Sequence, residues 1–551
     1  MRLCYFGSEE GRKTCKDVGQ MGKDVVVIGA GCAGMIAASE AWKGGSDVAI
    51  IDKGAIGLGT NSALSAGIFA GPTPNYSVEE YVRDTLQTGR GINYEPLVRL
   101  TAEEAPHAFS ILRSSGLDLV EFPGGYVIRG AGRDSIRGLT LVKALAKEIR
   151  KSNRIEVLSG IYVTRILKSE DRAYGIIGFD KSGEEVIINA SAVVMAAGGA
   201  GAIYLRNDNQ KGIMGQGYYL AARAGLELWD MEFIQSYPLV IAQPGLPSSI
   251  LYPPYPKEAR LINAAGEGIL EKHGIGEIHE AVSTKRDEFS AILFKESLKG
   301  PVKMDYRMVP SSKWKKPPLS FLPKRFDFSR EPFIVSPAVH FFMGGVRTDR
   351  NGETSLPGLF ACGEMVWGLH GANRMRGNAL TECLVSGMIA GRSAARHAMI
   401  PGKAPVNIGG FLKKRHCVRI SKRRELRELR DRARTIAWKY AGIVRYEEGL
   451  KQGLREIGEL DVETRKLETA GASEVRMLED LKGGIFTLRT ILEASLSRRE
   501  SRGSFIREDF PKTDDKHWRG NSCAAYEDDG NAIHVRFYPG SVKGAAKQTG
   551  V

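Results

Sequence analysis

Residues 24–28, Asp-Val-Val-Val-Ile, form an apolar run behind a single acid, and the run stops at Gly29. An unbroken run of this length suits a strand buried on both faces; a strand with one wet face alternates. From Met35 to Lys43 the apolar positions take helical spacing, and Val48 to Ile51 form a second short strand closed by Asp52. Residues 192–201 repeat the first signal, an apolar strand that exits into a glycine-rich turn. Between 243 and 336 the periodicity turns irregular and the composition shifts to Pro, Lys and Tyr, which marks an insertion. Residues 412–497 are amphipathic, with helices predicted over 473–482 and 485–495 on either side of a Gly-Gly break. Residues 507–551, rich in Pro, Gly and Asp, are expected as an extended tail. The chain carries no internal repeat.

Composition narrows the class. A chain of 551 residues exceeds one simple core and predicts two or three domains. The 65 glycines follow no period, so they mark tight turns and close approach to a ligand. No apolar run reaches the roughly 18–20 residues of a bilayer span. The first 22 residues lack the apolar core of a signal peptide. The chain is therefore expected in the cytoplasm. Seven scattered cysteines with no CxxC pair support neither a disulfide framework nor an internal iron–sulfur or zinc site. The net charge of +14 raises a nucleic-acid surface as one reading. Its densest stretch, residues 413–434, alternates Arg and Glu at helical spacing without interleaved aromatics, which fits an ion-paired helix face better. No nucleic-acid partner is expected.

Two segments carry chemistry. Strand, glycine turn, helix, strand and acid follow in order, with Asp52 standing 23 residues beyond Gly29. Gly29 makes the turn, Gly31 lets backbone N–H groups approach a pyrophosphate, Gly34 allows close helix packing, and Asp52 accepts from ribose hydroxyls. Residues 358–391 place an acid (Glu364), a His-Gly-Ala-Asn-Arg loop ending at Arg374, and a small-residue helix side by side. A flexible backbone, a carboxylate and a guanidinium at this spacing suit a large cofactor held beside a small anion.

The motif order is distinctive: GAGCAG at 29–34, SALSAGIFAG at 62–71, AAGGAG at 196–201, HFFMGGV at 340–346, GLFACGE at 358–364, HGANRMRGNAL at 370–380 and SRGSFIREDFP at 501–511. On these motifs the chain resembles the flavoprotein subunits of fumarate reductase and succinate dehydrogenase, with L-aspartate oxidase as a related branch. The resemblance implies an α/β fold. A Rossmann-like FAD-binding domain would occupy 1–242 and 337–405, with an inserted α+β capping domain at 243–336. A C-terminal helical domain would follow at 406–506, and the extended tail at 507–551.

It also implies roles. Gly29, Gly31, Gly34 and Asp52 would bind the ADP half of FAD, with Lys53, Ser65, Ala66, Gly67, Ala197, Gly198 and Gly363 completing the cradle. Glu364 would take the ribityl chain. Asn378, Ala379 and Leu380 would present backbone donors to the isoalloxazine, where the positive end of the following helix favours anionic reduced flavin. His340 and Arg374 would hold a substrate carboxylate while hydride passes between flavin N5 and a neighbouring carbon. Taken alone, Arg374 could be a structural ion pair with Glu382; the His-Gly-Ala-Asn-Arg context favours the ligand role.

Three departures stand out. The histidine that usually carries covalent FAD has its counterpart within Thr60 to Ser62, none of which forms that bond, so non-covalent FAD is expected. The segment from Gln235 to Leu239 puts Tyr237 where the family has a second substrate histidine and Leu239 where it has a threonine. The proton-donating arginine falls in a shortened motif, which makes Arg260 the candidate acid with Glu258 as a relay.

The activity implied is FAD-dependent oxidoreduction of a C–C bond beside a carboxylate, with fumarate and succinate as the default pair. An L-aspartate oxidase-like enzyme or a reductase of another enoate is the enzymatic alternative; a non-catalytic or nucleic-acid-linked flavoprotein is the other. The expected partners are a small carboxylate substrate and an iron–sulfur electron-transfer subunit, with peripheral membrane association through partners as an option. The basic helix and SRGSFIREDFP are the expected docking surfaces.

Overall fold

The structure is a computed structural model and describes residues 21–130, 136–400, 422–469 and 471–540. Expectations for residues 1–20, 401–421 and 541–551, including Cys4, Cys15, Cys417 and the start of the basic stretch, lie outside the described residues.

The first apolar run becomes the strand Met21–Ile28 at the centre of a seven-stranded sheet. The order is Ile155–Ser159, Val48–Asp52, Met21–Ile28, Glu185–Met195, Ala173–Phe179, Tyr162–Lys168, with Leu359–Ala361 also paired to Glu185–Met195. Pairings around the central strand are parallel. Both faces of that strand are buried, as the unbroken run requires. Val25 and Val27 pack with residues of the helices Cys32–Lys43 and Asn378–Ala398, whereas Val26 and Ile28 belong to the core on the other face, which extends to the C-terminal helices. Each such side chain contributes about 1.5–3 kcal/mol on burial. The two helices meet at small residues; a Cβ on Gly391 would stand 2.3 Å from the Ala37 carbonyl oxygen.

The irregular stretch is not irregular in space. It holds an antiparallel sheet in the order Ile234–Ile241, Phe333–Phe342, Val302–Asp305, Arg260–Ile262, covered by the helix Arg286–Lys299. Strand Phe333–Phe342 runs unbroken from this cap into His340, so cap and site share one rigid element.

The C-terminal reading needs two corrections. The predicted Gly-Gly break does not exist, because Ala472–Ser497 is one helix. Gly483 is small for packing rather than for turning: a Cβ there would lie 3.0 Å from Cα of Gln216 on the helix crossing it. Nor do the described residues after 507 form an extended tail. Strands Gly520–Glu527 and Ala532–Pro539 pair as a hairpin that joins Leu228–Trp229 and Gly345–Val346 in a four-stranded sheet. Residues 501–507 are equally unlike a docking surface. Arg507 is fully buried, donating to the main-chain oxygens of Ser495 and Arg498, and Ser504 Oγ donates to the Ala372 carbonyl at 3.1 Å. That motif props up the loop that ends at Arg374. No described helix is long and apolar enough to cross a membrane.

Candidate active site

The glycine turn separates packing from binding. A Cβ on Gly29 would meet the Ala196 carbonyl oxygen at 2.3 Å, and one on Gly34 the Gly29 oxygen at 1.9 Å, so both are dictated by the protein's own backbone. Gly31 is different: its nearest neighbour would be Ser62 Oγ at 3.7 Å. Nothing in the described chain requires a glycine there, whereas a close-lying pyrophosphate does. Asp52 closes the turn by accepting from Ala30 N at 2.9 Å and Gly54 N at 2.6 Å, which pins the strand end where a ribose would sit. Burial pushes its carboxyl up; those two donors and Lys53 oppose the shift.

Glu364 is buried against Gly199 and accepts from the Phe342 amide, at 3.2 Å from Oε1. Burial pushes its carboxyl up to about 7. Asn61 and the Phe342 amide oppose that shift, and a buried acid at this position suits a ligand bearing several hydroxyls. The helix Asn378–Ala398 begins after Gly377 in the left-handed region, with no side-chain cap, which leaves first-turn N–H groups of Ala379 and Leu380 to a ligand. Ser65, Ala66 and Gly67 form the turn behind the short helix Asn61–Leu64, with Gly67 at φ +65. Gly198 and Gly363 sit at φ +74 on the two strand exits, Gly198 directly after Ala197. These groups fit FAD.

Beside this cradle lies a cationic pole. Arg374 is only 5% exposed, has no carboxylate within ion-pairing distance among the described residues, and stacks over Phe341 at 4.6 Å. Its Nε has no acceptor among the described residues. Burial, with Arg286 nearby, pushes its pKa down to about 9. Glu382 is not its partner: that carboxylate bonds His370 Nε2 at 3.0 Å. Arg286, first residue of its helix, donates from Nη2 to the Arg374 carbonyl at 3.3 Å, and its own Nε is buried without an acceptor. Gln235 fixes the same carbonyl at 2.9 Å and the Asn373 amide at 2.8 Å, and Asn373 donates to Asp287 at 2.6 Å. His340 Nδ1 bonds Asp208 at 2.7 Å, which orients the ring and leaves Nε2 without a partner among the described residues. Two guanidinium groups with buried, unbonded nitrogens are costly unless an anion joins them.

Residues 24–380 match the family model described as FAD binding domain, and residues 430–548 match the one described as fumarate reductase flavoprotein C-term. The chain belongs to the fumarate reductase/succinate dehydrogenase flavoprotein family. This flavoprotein is an FAD-dependent oxidoreductase. It is 31% identical over 531 residues to a fumarate reductase (CoM/CoB) subunit of Methanothermobacter marburgensis, covering 89% of this chain and 95% of the relative. It is also 31% identical over 518 residues to the L-aspartate oxidase of Agrobacterium fabrum, covering 90% and 92%. Its fold superimposes on a variant of E. coli quinol fumarate reductase FrdA with a TM-score of 0.82 at 25% identity, covering 96% of this chain and 98% of the other.

Within this flavoprotein, Arg374 stacks over Phe341, the chain neighbour of His340, and Asp208, the partner of His340, acts on the Arg374 guanidinium. Arg260 does not join them. It lies exposed on the strand Arg260–Ile262 opposite Asp305, and Glu258 is spent on Lys313 at 2.7 Å. Lys53 also turns elsewhere, donating to the Gly212 carbonyl at 2.5 Å and to Asp480 at 3.2 Å, so it ties the C-terminal helix to the cradle. Tyr237 is near His340, with ring centroids 6.0 Å apart, but its hydroxyl meets Tyr255 Oη at 3.2 Å. Tyr255 Oη also lies 2.7 Å from the Leu251 carbonyl, which Tyr237 Oη approaches at 3.5 Å, so the two phenols share one acceptor and either can donate to the other. Leu239 is fully buried in the cap core.

Sequence reasoning missed Arg286, Asp287 and Asp208. One signal was available for the first: an arginine opening a helix faces the positive end of the helix dipole, a position that disfavours cations. Among the described residues no group of His, Cys, Asp and Glu is arranged to hold a metal.

Proposed function

We propose that this flavoprotein interconverts a C–C single and double bond beside a carboxylate, and that Arg286 rather than Arg260 moves the proton. The observation that carries the reading is the pair Arg286 and Arg374, both with buried, unbonded nitrogens at the edge of the cradle. Arg374 grips the carboxylate through its guanidinium, and His340 Nε2, oriented by Asp208, bonds the same group. FAD, when bound, supplies the two-electron hydride chemistry. Arg286 holds at its guanidinium the proton exchanged with the substrate carbon opposite that hydride. Phe341 below and the capping strands around the site exclude water, which strengthens each charge contact. Reduction of fumarate by the chemically reduced protein tests the reading; activity equal to free flavin would remove it.

Three further parts rest on the same reading. Cofactor attachment is non-covalent: Asn61, within the span where the family places its histidine, holds Asn209 and the Gln210 amide through a carboxamide, which is not the nucleophile that a bond to the flavin needs. Acid-precipitated protein should release all its flavin. An iron–sulfur electron-transfer protein is the partner, in line with a relative named as one component of a fumarate reductase and with the multi-subunit setting of the structural neighbours. Any peripheral membrane attachment through such partners belongs to the same reading.

One observation favours the aspartate oxidase reading. Tyr237 puts a phenol without positive charge beside His340, and its oxygen can accept from a substrate ammonium. Hydrogen peroxide formed from L-aspartate, with no fumarate reduction, would select it.

A further inference from the structure

We propose that the cap docks directly on anionic membrane surfaces through the loop 308–325. This surface is independent of the FAD and substrate residues and of any partner protein. The loop reads MVPSSKWKKPPLSFLPKR: five cations, no acid, and apolar side chains between them. Lys313 is neutralised by Glu258, at 2.7 Å. Lys315, Lys316, Lys324 and Arg325 are exposed and unpaired among the described residues. Met308 is 74% exposed and Phe321 54% exposed, a large apolar area to leave in water beside such charge.

The loop is folded rather than slack. Trp314 donates from its indole to the Val309 carbonyl at 3.3 Å and packs edge-on to Tyr306, while Val309, Leu319 and Phe328 are buried in the cap core. Main-chain bonds from Lys316 N to Lys313 O, Ser320 N to Lys316 O and Phe321 N to Pro318 O hold its shape, each at 3.1 Å. Met308 and Phe321 thus stay outward because their neighbours already fill the core.

The mixture selects the partner. Lysine dominates, and lysine is depleted in protein–protein interfaces because its strongly hydrated charge lacks the fork that pairs specifically with carboxylates. A diffuse sheet of lipid phosphates needs no such fork. Exposed Phe and Met give the second, apolar signal, and the half-buried indole of Trp314 suits the headgroup level.

Co-sedimentation of the full-length holoprotein with vesicles tests this. Vesicles of phosphatidylcholine mixed with phosphatidylglycerol should bind it at low salt, and vesicles of phosphatidylcholine alone should not. Lys315→Glu with Lys316→Glu should weaken binding by roughly tenfold or more. Phe321→Ser should remove the fraction that persists at high salt, and both variants should keep wild-type flavin content and melting temperature. No binding to the anionic vesicles overturns the proposal. Unchanged binding by both variants places the contact elsewhere and overturns it too. So does failure to bind vesicles while polyglutamate is retained, the outcome expected of a surface for an acidic protein.

Discussion

Arg286 donates a hydrogen bond from Nη2 to the main-chain carbonyl of Arg374, 3.3 Å away, so the cap and the nucleotide-binding core meet through two arginines. Like charges are brought together here, and Asp208, Glu364 and Glu382 moderate the field around Arg374 without pairing with it. An arrangement of this kind is tolerable in a folded protein when its purpose is to receive an anion.

Replacing the two candidate acids separates them. Arg286→Gln should lower fumarate turnover by about 10²–10⁴-fold, the usual worth of a positioned proton donor. Arg260→Gln, on its exposed strand, should stay near wild type. Steady-state assays with a reduced dye check both.

Arg374→Ala should lose about 3–5 kcal/mol of carboxylate binding. A dicarboxylate such as succinate should therefore raise the melting temperature of wild type and leave that of the variant unchanged. The pH dependence follows from a folded pKa depressed to about 9. The guanidinium is charged below that value, so succinate affinity should hold steady up to pH 9 and fall above it. Calorimetric titration across that range gives the answer.

Glu364 supplies a second pH signature. Its folded carboxyl is raised to about 7, so apoprotein stability should decline as pH climbs from the ordinary carboxylate range through 7, where the unfolded chain ionises freely and the native one does not. Ligand hydroxyls that donate to Glu364 favour its ionised form, so FAD affinity should rise through the same interval. Glu364→Gln should flatten both profiles, as read by flavin fluorescence quenching and by melting curves.

The glycines give the cleanest contrast. Gly34→Ala places its Cβ 1.9 Å from a backbone oxygen and should cost the fold several kcal/mol, on the order of an overpacked core site or more. Gly31→Ala meets nothing closer than 3.7 Å and should fold normally while binding FAD at least about tenfold more weakly, the factor for about 1.4 kcal/mol. Melting temperature and flavin content, measured together, distinguish the two.

Legibility in the sequence followed the range of the interaction. The strand at Val25–Val27, the turn at Gly29 to Gly34 and the loop ending at Arg374 are local, so spacing and composition exposed them. Arg286 reaches Arg374 across 88 residues, and no local pattern records that meeting. Gly483 illustrates another limit: a glycine needed to approach Gln216 has the same letter as one that ends a helix. The hairpin at Gly520–Glu527 and Ala532–Pro539 was hidden by its wet side, where only some positions are apolar enough to show alternation. Lys53 and Tyr237 stand at readable positions, yet their side chains are committed to Asp480 and Tyr255, partners that only the fold supplies.

The most direct measurement is stopped-flow reoxidation of the dithionite-reduced holoprotein by fumarate, in wild type and in Arg286→Gln. Rapid reoxidation of wild type, with the variant still binding succinate but reoxidising at least about a hundredfold more slowly, is the predicted result. Flavin that stays reduced in wild type, or a variant as fast as wild type, would contradict the account.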